Sequence, residues 1–88
     1  MYKANPTFWD CYDKLPPRIQ KLADKNYELL KQDQSHPSLE LKRVQDWWSA
    51  RVGDNYRALA YETEGYWVWF WIGNHDEYMK LIRSKRRR

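Results

Sequence analysis

The sequence predicts an α+β domain: two N-terminal helices packed on a four-stranded antiparallel sheet, followed by a short C-terminal helix. Three observations support this prediction. Apolar residues recur at helical spacing through about residue 30, they alternate with a period of two from Leu39, and a helical pattern returns after Gly73. A chain of 88 residues is long enough for one modest core. We therefore assign residues 1–82 to a single domain and residues 83–88 to a basic tail.

The first two predicted helices follow from capping residues, prolines and apolar stripes. Asn5 can cap a helix that has Pro6 at its first position. Pro16 and Pro17 should end this helix and open a second one of about four turns, which must stop before Pro37. The apolar stripe of the first helix is Phe8, Cys11, Tyr12 and Leu15, and that of the second is Ile19, Leu22, Ala23, Tyr27 and Leu30.

The predicted strands are the stretches "LELKRV", "WWSARV", "YRALAY" and "YWVWFWI", the last three joined by Gly-Asp-Asn and Thr-Glu-Gly turns. The opening "MYKANP" is too short and too broken by proline for a strand. The last strand is apolar on both faces. We expect Val68, Phe70 and Ile72 on one face, and Trp67, Trp69 and Trp71 on the other.

The C-terminal helix is predicted from "GNHDEYMKLI". Gly73 should break the strand, and Asn74 should cap the helix. Tyr78, Leu81 and Ile82 would form its apolar stripe.

Two arginines stand out in the hairpin "WSARVGDNYRALAY". A three-residue Gly-Asp-Asn loop pairs Val52 with Tyr56 and gathers the small and apolar residues on one face. The same register places Arg51 directly opposite Arg57 on the other face, and such a like-charge pair is destabilising by up to about 1 kcal/mol. Two adjacent guanidinium groups are suited to binding phosphate. Alternatively, one arginine pairs with Glu62, Asp46 or a tail carboxylate, or extends to solvent, and the spacing does not decide between these interpretations.

The positive charge is unevenly distributed. The net charge is +4, but five basic residues lie in the last six positions, and without them 11 basic residues face 12 acidic ones. Any anion site in the domain must therefore be a local cluster. Lys85 and Arg86 in the tail are candidate additional phosphate contacts, and a merely solubilising tail is the alternative.

Other classes of function find no support in the sequence. No apolar run approaches the roughly 18 residues of a membrane span. The N-terminus lacks the pattern of a secretory signal, so we expect a cytoplasmic protein without a membrane partner. Cys11 is the single cysteine, no metal-ligand spacing is present, and we expect no cofactor and no small-molecule substrate.

The combination of these segments resembles the RelE/ParE toxin superfamily of bacterial type II toxin–antitoxin systems. The stretches that carry the resemblance are "HPSLELKRV", "SARVGDNYRAL" and "WVWFWIGNHDEYMKLI", in this order. The resemblance implies a compact antiparallel sheet with packed helices and a cognate antitoxin as partner. It also implies one of two activities. RelE-like and HigB-like members are metal-independent endoribonucleases that cut translated mRNA on the ribosome, whereas ParE-like members inhibit DNA gyrase.

The resemblance also suggests which residues form a ribonuclease site. Arg57 matches the hairpin arginine that contacts the scissile phosphate, and Arg51 falls near a basic residue of the preceding strand. His75 falls near a basic or histidine position that follows the last strand, and Tyr78 falls near a C-terminal tyrosine. Lys42 and Arg43 could add phosphate contacts. Ser49, by contrast, stands where some members carry a catalytic lysine. The alternatives to a ribonuclease are therefore a gyrase inhibitor of the ParE kind and a toxin-fold protein that has lost catalysis and only binds a protein partner.

The chemistry of these residues is coherent with RNA cleavage. Cleavage without a metal needs a base for the 2′-hydroxyl, an acid for the leaving 5′-oxygen and positive charge on the phosphorane. His75 is the candidate base, and His36 is a weaker one, more simply a loop residue. Tyr78 could stack on a base or donate a proton, although its place in the apolar stripe equally indicates a core residue.

Overall fold

A computed structural model describes residues 2–86, with side chains through residue 84. The strands are β1 (Tyr2–Ala4), β2 (Lys42–Val44), β3 (Trp47–Val52), β4 (Tyr56–Thr63) and β5 (Tyr66–Asn74). The helices are α1 (Pro6–Tyr12), α2 (Pro17–Gln32) and α3 (His75–Arg86), and a 3-10 turn spans Pro37–Leu39. The α+β class is confirmed. Arg83 lies within α3 rather than in an extended tail, and Arg87 and Arg88 fall outside the described residues.

The sheet has five strands in the order β1-β5-β4-β3-β2, one more than predicted. The prediction that the N-terminus forms no strand is wrong. Tyr2–Ala4 pairs in parallel with Trp67–Trp69 at the edge of the sheet, and the amide of Asn5 extends this pairing to the carbonyl of Trp69. Three residues suffice because β5 provides a formed edge for them, and Pro6 interrupts nothing because α1 begins there.

The first predicted strand is shorter than "LELKRV". Residues 37–39 instead form the 3-10 turn, which buries Leu39, and Glu40 follows in a left-handed backbone conformation with φ 44°. Only Lys42–Val44 pairs with β3. The alternation of Leu39 and Leu41 therefore reflects a turn that packs on the core, not a strand.

The register of the β3–β4 hairpin is confirmed. Val52 pairs with Tyr56, and Arg51 lies opposite Arg57. Trp48 and Ala58 share one face of the sheet, here called the helical face because α1 and α2 cover it. Arg51 and Arg57 share the other face, here called the cleft face.

The predicted faces of β5 are wrong beyond a β-bulge. Leu59 pairs with Trp71 but the next residue, Ala60, pairs with Trp69, so that one extra residue of β5 interrupts the alternation. As a result Trp69 and Ile72 both join the core beneath the helices. Phe70 lies on the cleft face, where its ring contacts those of Trp47 and Tyr61.

The helix ends follow the predicted caps. The Asn5 side chain accepts a hydrogen bond from the amide of Phe8 at 3.1 Å. At α3, the Asn74 side chain accepts from the Glu77 amide at 2.8 Å, and the Glu77 carboxylate accepts from the Asn74 amide at 3.2 Å. This reciprocal capping box fixes the start of α3 beside the start of β4, where the His75 amide donates to the Asn55 carbonyl at 2.7 Å.

Gly73 does not end the strand as predicted, because β5 runs through it to Asn74. A Cβ atom at this position would lie 2.5 Å from the Trp71 ring and 2.7 Å from the Glu77 carboxylate. Close approach of these side chains, rather than a break in the chain, requires glycine here.

The two turn glycines provide a matched test of the hairpin. Gly53 and Gly65 have φ of +66° and +83°, but a Cβ would meet Leu22 at 2.7 Å only at Gly53. Gly65→Ala should lower the free energy of unfolding by about 1 kcal/mol through backbone strain alone. Gly53→Ala should lower it further, because Leu22 must also move. Urea denaturation of both variants measures the difference, and equal losses would contradict the packing of α2 on this turn.

Among the described residues, no helix combines the length and the apolar composition needed to cross a membrane.

Candidate functional site

A cleft of about 560 Å³ opens on the cleft face of the sheet, between α3 and the segment that leads into β2. All of the sequence-predicted site residues whose side chains the structure describes line it. These are Lys42, Arg43, Arg51, Arg57, His75 and Tyr78. The backbone of Lys85 and Arg86 belongs to α3, but their side chains lie outside the described part of the structure.

Arg57 forms the floor of the cleft. Its side chain is only 8% exposed, and its Nη1 donates to the hydroxyl of Ser49 at 2.9 Å. Its Nη2 donates to the Glu40 carboxylate, and its guanidinium lies 5.5 Å from the centre of the Tyr78 ring. Three contacts from three different elements therefore fix the guanidinium in one orientation.

Arg51 forms the wall beside Arg57 and is more accessible, with 41% of its side chain exposed. Its Nε donates to the Gly53 carbonyl at 3.0 Å. Its two terminal nitrogens lie 3.4 Å from the Glu40 carboxylate and 3.5 Å from that of Asp54. The turn that sets the hairpin register therefore also orients this second cation.

The carboxylate of Glu40 offsets the repulsion between the two arginines. The sequence pattern did not identify this residue. Its carboxylate contacts both guanidinium groups, so that the like charges share one anion. The alternating pattern of "LELKRV" made Glu40 look like a solvent-facing strand residue. The Glu62 suggested by the sequence instead accepts from the Trp48 indole at 3.2 Å. The useful signal would have been Pro37, because a turn there breaks the alternation.

The electrostatics of the cleft keep Glu40 ionised. Its pKa is lowered from the usual 4.5, chiefly by the charge of Arg57, whose effect exceeds the opposing effect of desolvation, and further by Arg51 and Lys42. The ion pairs are therefore complete above pH 4.5. Their contribution to stability is lost as the pH falls through the lowered pKa.

His75 and Tyr78 come from the first turn of α3 but differ in exposure. His75 is exposed at the mouth of the cleft, and its ring centre lies 6.0 Å from that of Tyr78. Tyr78 is only 3% exposed. This burial favours the interpretation of Tyr78 as a packing residue beneath Arg57 over its interpretation as a proton donor, whereas His75 is free to approach a ligand.

Lys42 and Arg43 both border the cleft, but their side chains point to opposite faces of the sheet. Lys42 pairs with Ser49 in the register and so lies on the cleft face with the two arginines. Arg43 pairs with Trp48, and its guanidinium lies 5.3 Å from the Trp48 ring and 4.0 Å from the Glu62 carboxylate. Lys42 is therefore the better placed of the two to contact a phosphate bound at the arginine pair.

The remaining polar candidates take structural roles. The Nδ1 of His36 accepts from the Ser38 amide at 3.1 Å and thus caps the 3-10 turn. Ser49 is fully buried, and its hydroxyl holds Arg57. Within residues 2–86, no group of three His, Cys, Asp or Glu side chains is close enough to hold a metal ion.

Comparison with known proteins places this geometry in context. A family profile described as "ParE-like toxin domain" matches residues 17–80. The RelB–RelE antitoxin–toxin complex from Methanococcus jannaschii contains a similar structure, with a TM-score of 0.71 and 17% identity, covering 90% of this chain and 96% of that one. The search of curated protein sequences gives no match.

Two further solved structures share the fold. YafQ from E. coli strain BL21(DE3) aligns with a TM-score of 0.65 and 12% identity, covering 89% of this chain and 96% of that chain. The RelBE2 toxin–antitoxin complex from Mycobacterium tuberculosis aligns with a TM-score of 0.62 and 20% identity, covering 85% and 96%. Strand and helix arrangement is thus shared at identities of 20% or below.

Proposed function

Because this chain belongs to the ParE-like toxin domain family, within the RelE/ParE toxin superfamily, we propose that it is a toxin that cleaves mRNA without a metal ion. It acts in the cytoplasm on mRNA that is being translated on the ribosome, and a cognate antitoxin neutralises it. One observation carries the proposal: the cleft gathers Arg51, Arg57, Lys42 and His75 around a space open to a nucleic acid strand.

The side chains of the cleft match the demands of the reaction. The 2′-oxygen of a ribose attacks the adjacent phosphorus, and the bond to the 5′-oxygen breaks, which leaves a cyclic phosphate and a free 5′-hydroxyl. His75 is placed to accept the 2′-hydroxyl proton, and a proton must reach the departing 5′-oxygen. Arg57 and Arg51 balance the charge that develops on the phosphorane oxygens. Buried contacts hold Arg57 in place before the substrate arrives, so that little reorganisation is required.

Membership of this toxin family supports an antitoxin partner, and an apolar cavity on the helical face offers a place for it to bind. The RelB–RelE and RelBE2 structures are antitoxin–toxin complexes. Here α1, α2 and the helical face enclose a mostly apolar cavity of about 310 Å³, at whose edge Trp9 is 48% exposed. An apolar segment of an antitoxin would cover this exposed surface.

Gyrase inhibition is the second candidate function. The profile that matches residues 17–80 is described as ParE-like, and Ser49 occupies the position at which a catalytic lysine would be expected from the resemblance. In that case the arginine pair would serve as a binding surface rather than as a reaction centre.

Expression of the chain in bacteria separates the two functions. A ribonuclease should arrest growth and create new 5′ ends in a reporter mRNA, which primer extension detects. A gyrase inhibitor should leave the mRNA intact and change plasmid supercoiling in the same cells. Co-expression with the cognate antitoxin should suppress either effect, and arrest without cleavage would contradict the ribonuclease proposal.

A further inference from the structure

Glu40 occupies the position in which the arginine pair would hold an anion. One carboxylate oxygen contacts Arg57, and the other lies 3.4 Å from Arg51. Two guanidinium groups that converge on two oxygens of one ligand form the arrangement that binds phosphate. The carboxylate and a phosphodiester carry the same charge of −1, so that they compete for the same place.

The backbone directs Glu40 into the cleft. Leu39 is buried to 1% exposure and anchors the 3-10 turn, whose carbonyl at Pro37 accepts from the Glu40 amide at 3.1 Å. Glu40 itself has φ 44° and ψ 47°, a conformation that residues other than glycine rarely adopt. Gln45 and Glu64 adopt positive φ as well, so that the conformation of Glu40 sets the direction of its side chain and is not in itself evidence of function.

Arg57 and Glu40 differ in burial, and this difference allows another anion to replace the Glu40 carboxylate beside Arg57. The Arg57 side chain is 8% exposed, whereas that of Glu40 is 48% exposed. Glu40 can therefore swing into solvent while Ser49 and Tyr78 keep Arg57 in place. The low pKa of Glu40 means that it remains a charged competitor at neutral pH.

We propose that Glu40 is a built-in competitor for the phosphate position and thereby determines which anions the cleft accepts. A single phosphate gains too little to displace it. A strand of RNA displaces it, because Lys42 on the same face adds contacts to a neighbouring phosphate. This inference rests on the proposed function, since it names RNA as the ligand of the cleft.

The test is the variant Glu40→Gln, which keeps the size of the side chain and removes its charge. The probes are inorganic phosphate and an RNA oligonucleotide with 2′-O-methyl groups, which cannot be cleaved. We expect Glu40→Gln to bind both on the order of tenfold more tightly than the wild type, because one repelling charge is lost. Titration calorimetry measures the affinities, and the rise of the melting temperature with phosphate provides a second readout.

The matched control is Glu62→Gln, which removes a carboxylate that contacts Arg43 and Trp48 on the helical face. This variant should bind both probes as the wild type does. If Glu40→Gln does not fold, Glu40→Asp keeps the charge on a shorter side chain, which reaches both arginines less well and should bind phosphate more tightly than the wild type.

The outcomes distinguish this inference from the proposed function. Unchanged or weaker binding of both probes by folded Glu40→Gln or Glu40→Asp would overturn the competitor role and assign Glu40 to positioning of Arg57. Tighter phosphate binding in a protein that never cleaves RNA would support the competitor role and refute the ribonuclease. RNA cleavage by the wild type, together with unchanged binding of both probes by the Glu40 variants, would support the ribonuclease and refute the competitor role.

Discussion

Arg57→Ala is expected to abolish RNA cleavage. Arg57 is the most buried cation of the cleft, and the Ser49 hydroxyl and the Tyr78 ring hold it in place. A charge that is oriented in advance and sheltered from water is typically worth several kcal/mol to a transition state, so that the rate should fall by about 10³-fold or more. Primer extension on a reporter mRNA in vivo and single-turnover cleavage of an RNA oligonucleotide in vitro measure the loss.

Two further variants separate charge from geometry at this position. Arg57→Lys keeps the charge but lacks the fork of donors, and should recover only part of the rate. Arg18→Ala removes an exposed cation of α2 that does not line the cleft, and it should leave cleavage unchanged. Cleavage at the wild-type rate by folded Arg57→Ala would remove the arginine pair from the mechanism.

The burial of Arg57 also changes the stability that we expect of the Arg57→Ala variant. From the sequence, Arg57 lies off the core face, so that alanine there should not unfold the protein. The structure confirms the face but places the side chain among Ser49, Glu40 and Tyr78. We therefore expect Arg57→Ala to be less stable than the wild type, and circular dichroism must show that it remains folded before its activity is compared.

The parts of the fold that the sequence predicts correctly are those set by neighbours in the chain. Asn5 and Asn74 cap helices through residues three positions away. The opposition of Arg51 and Arg57 follows from a loop of three residues and from alternation on both sides of it. Each of these features depends on local geometry, which a sequence pattern records directly.

The features that were missed depend on partners far along the chain. Tyr2–Ala4 is a strand only because β5 offers an edge more than 60 residues later. The bulge opposite Leu59 and Ala60 lets Trp69 share the core with Ile72, and the alternation of residues in β5 does not indicate it. Glu40 contacts Arg57 across a sequence separation of 17 residues, so that no local pattern records the pair.

His75→Ala is expected to slow cleavage by about 10²–10⁴-fold, the usual contribution of one acid–base group. His75 is exposed at the mouth of the cleft and lies at the start of α3, where its backbone amide, not its ring, bonds to Asn55. Alanine at this position should therefore leave the fold intact. The matched control is Asp76→Ala, at the next position of α3, which is exposed and does not line the cleft, and which should retain cleavage.

Chemical rescue decides whether His75 moves a proton or only shapes the cleft. Free imidazole can diffuse into the space that the missing ring leaves, because this side of the cleft is open to solvent. If His75 transfers a proton, imidazole should restore part of the single-turnover rate of His75→Ala in a concentration-dependent manner and should not affect Arg57→Ala. A folded His75→Ala protein that cleaves at the wild-type rate, or whose slow rate is indifferent to imidazole, would assign the proton transfer to another group and leave the arginine pair as the main source of catalysis.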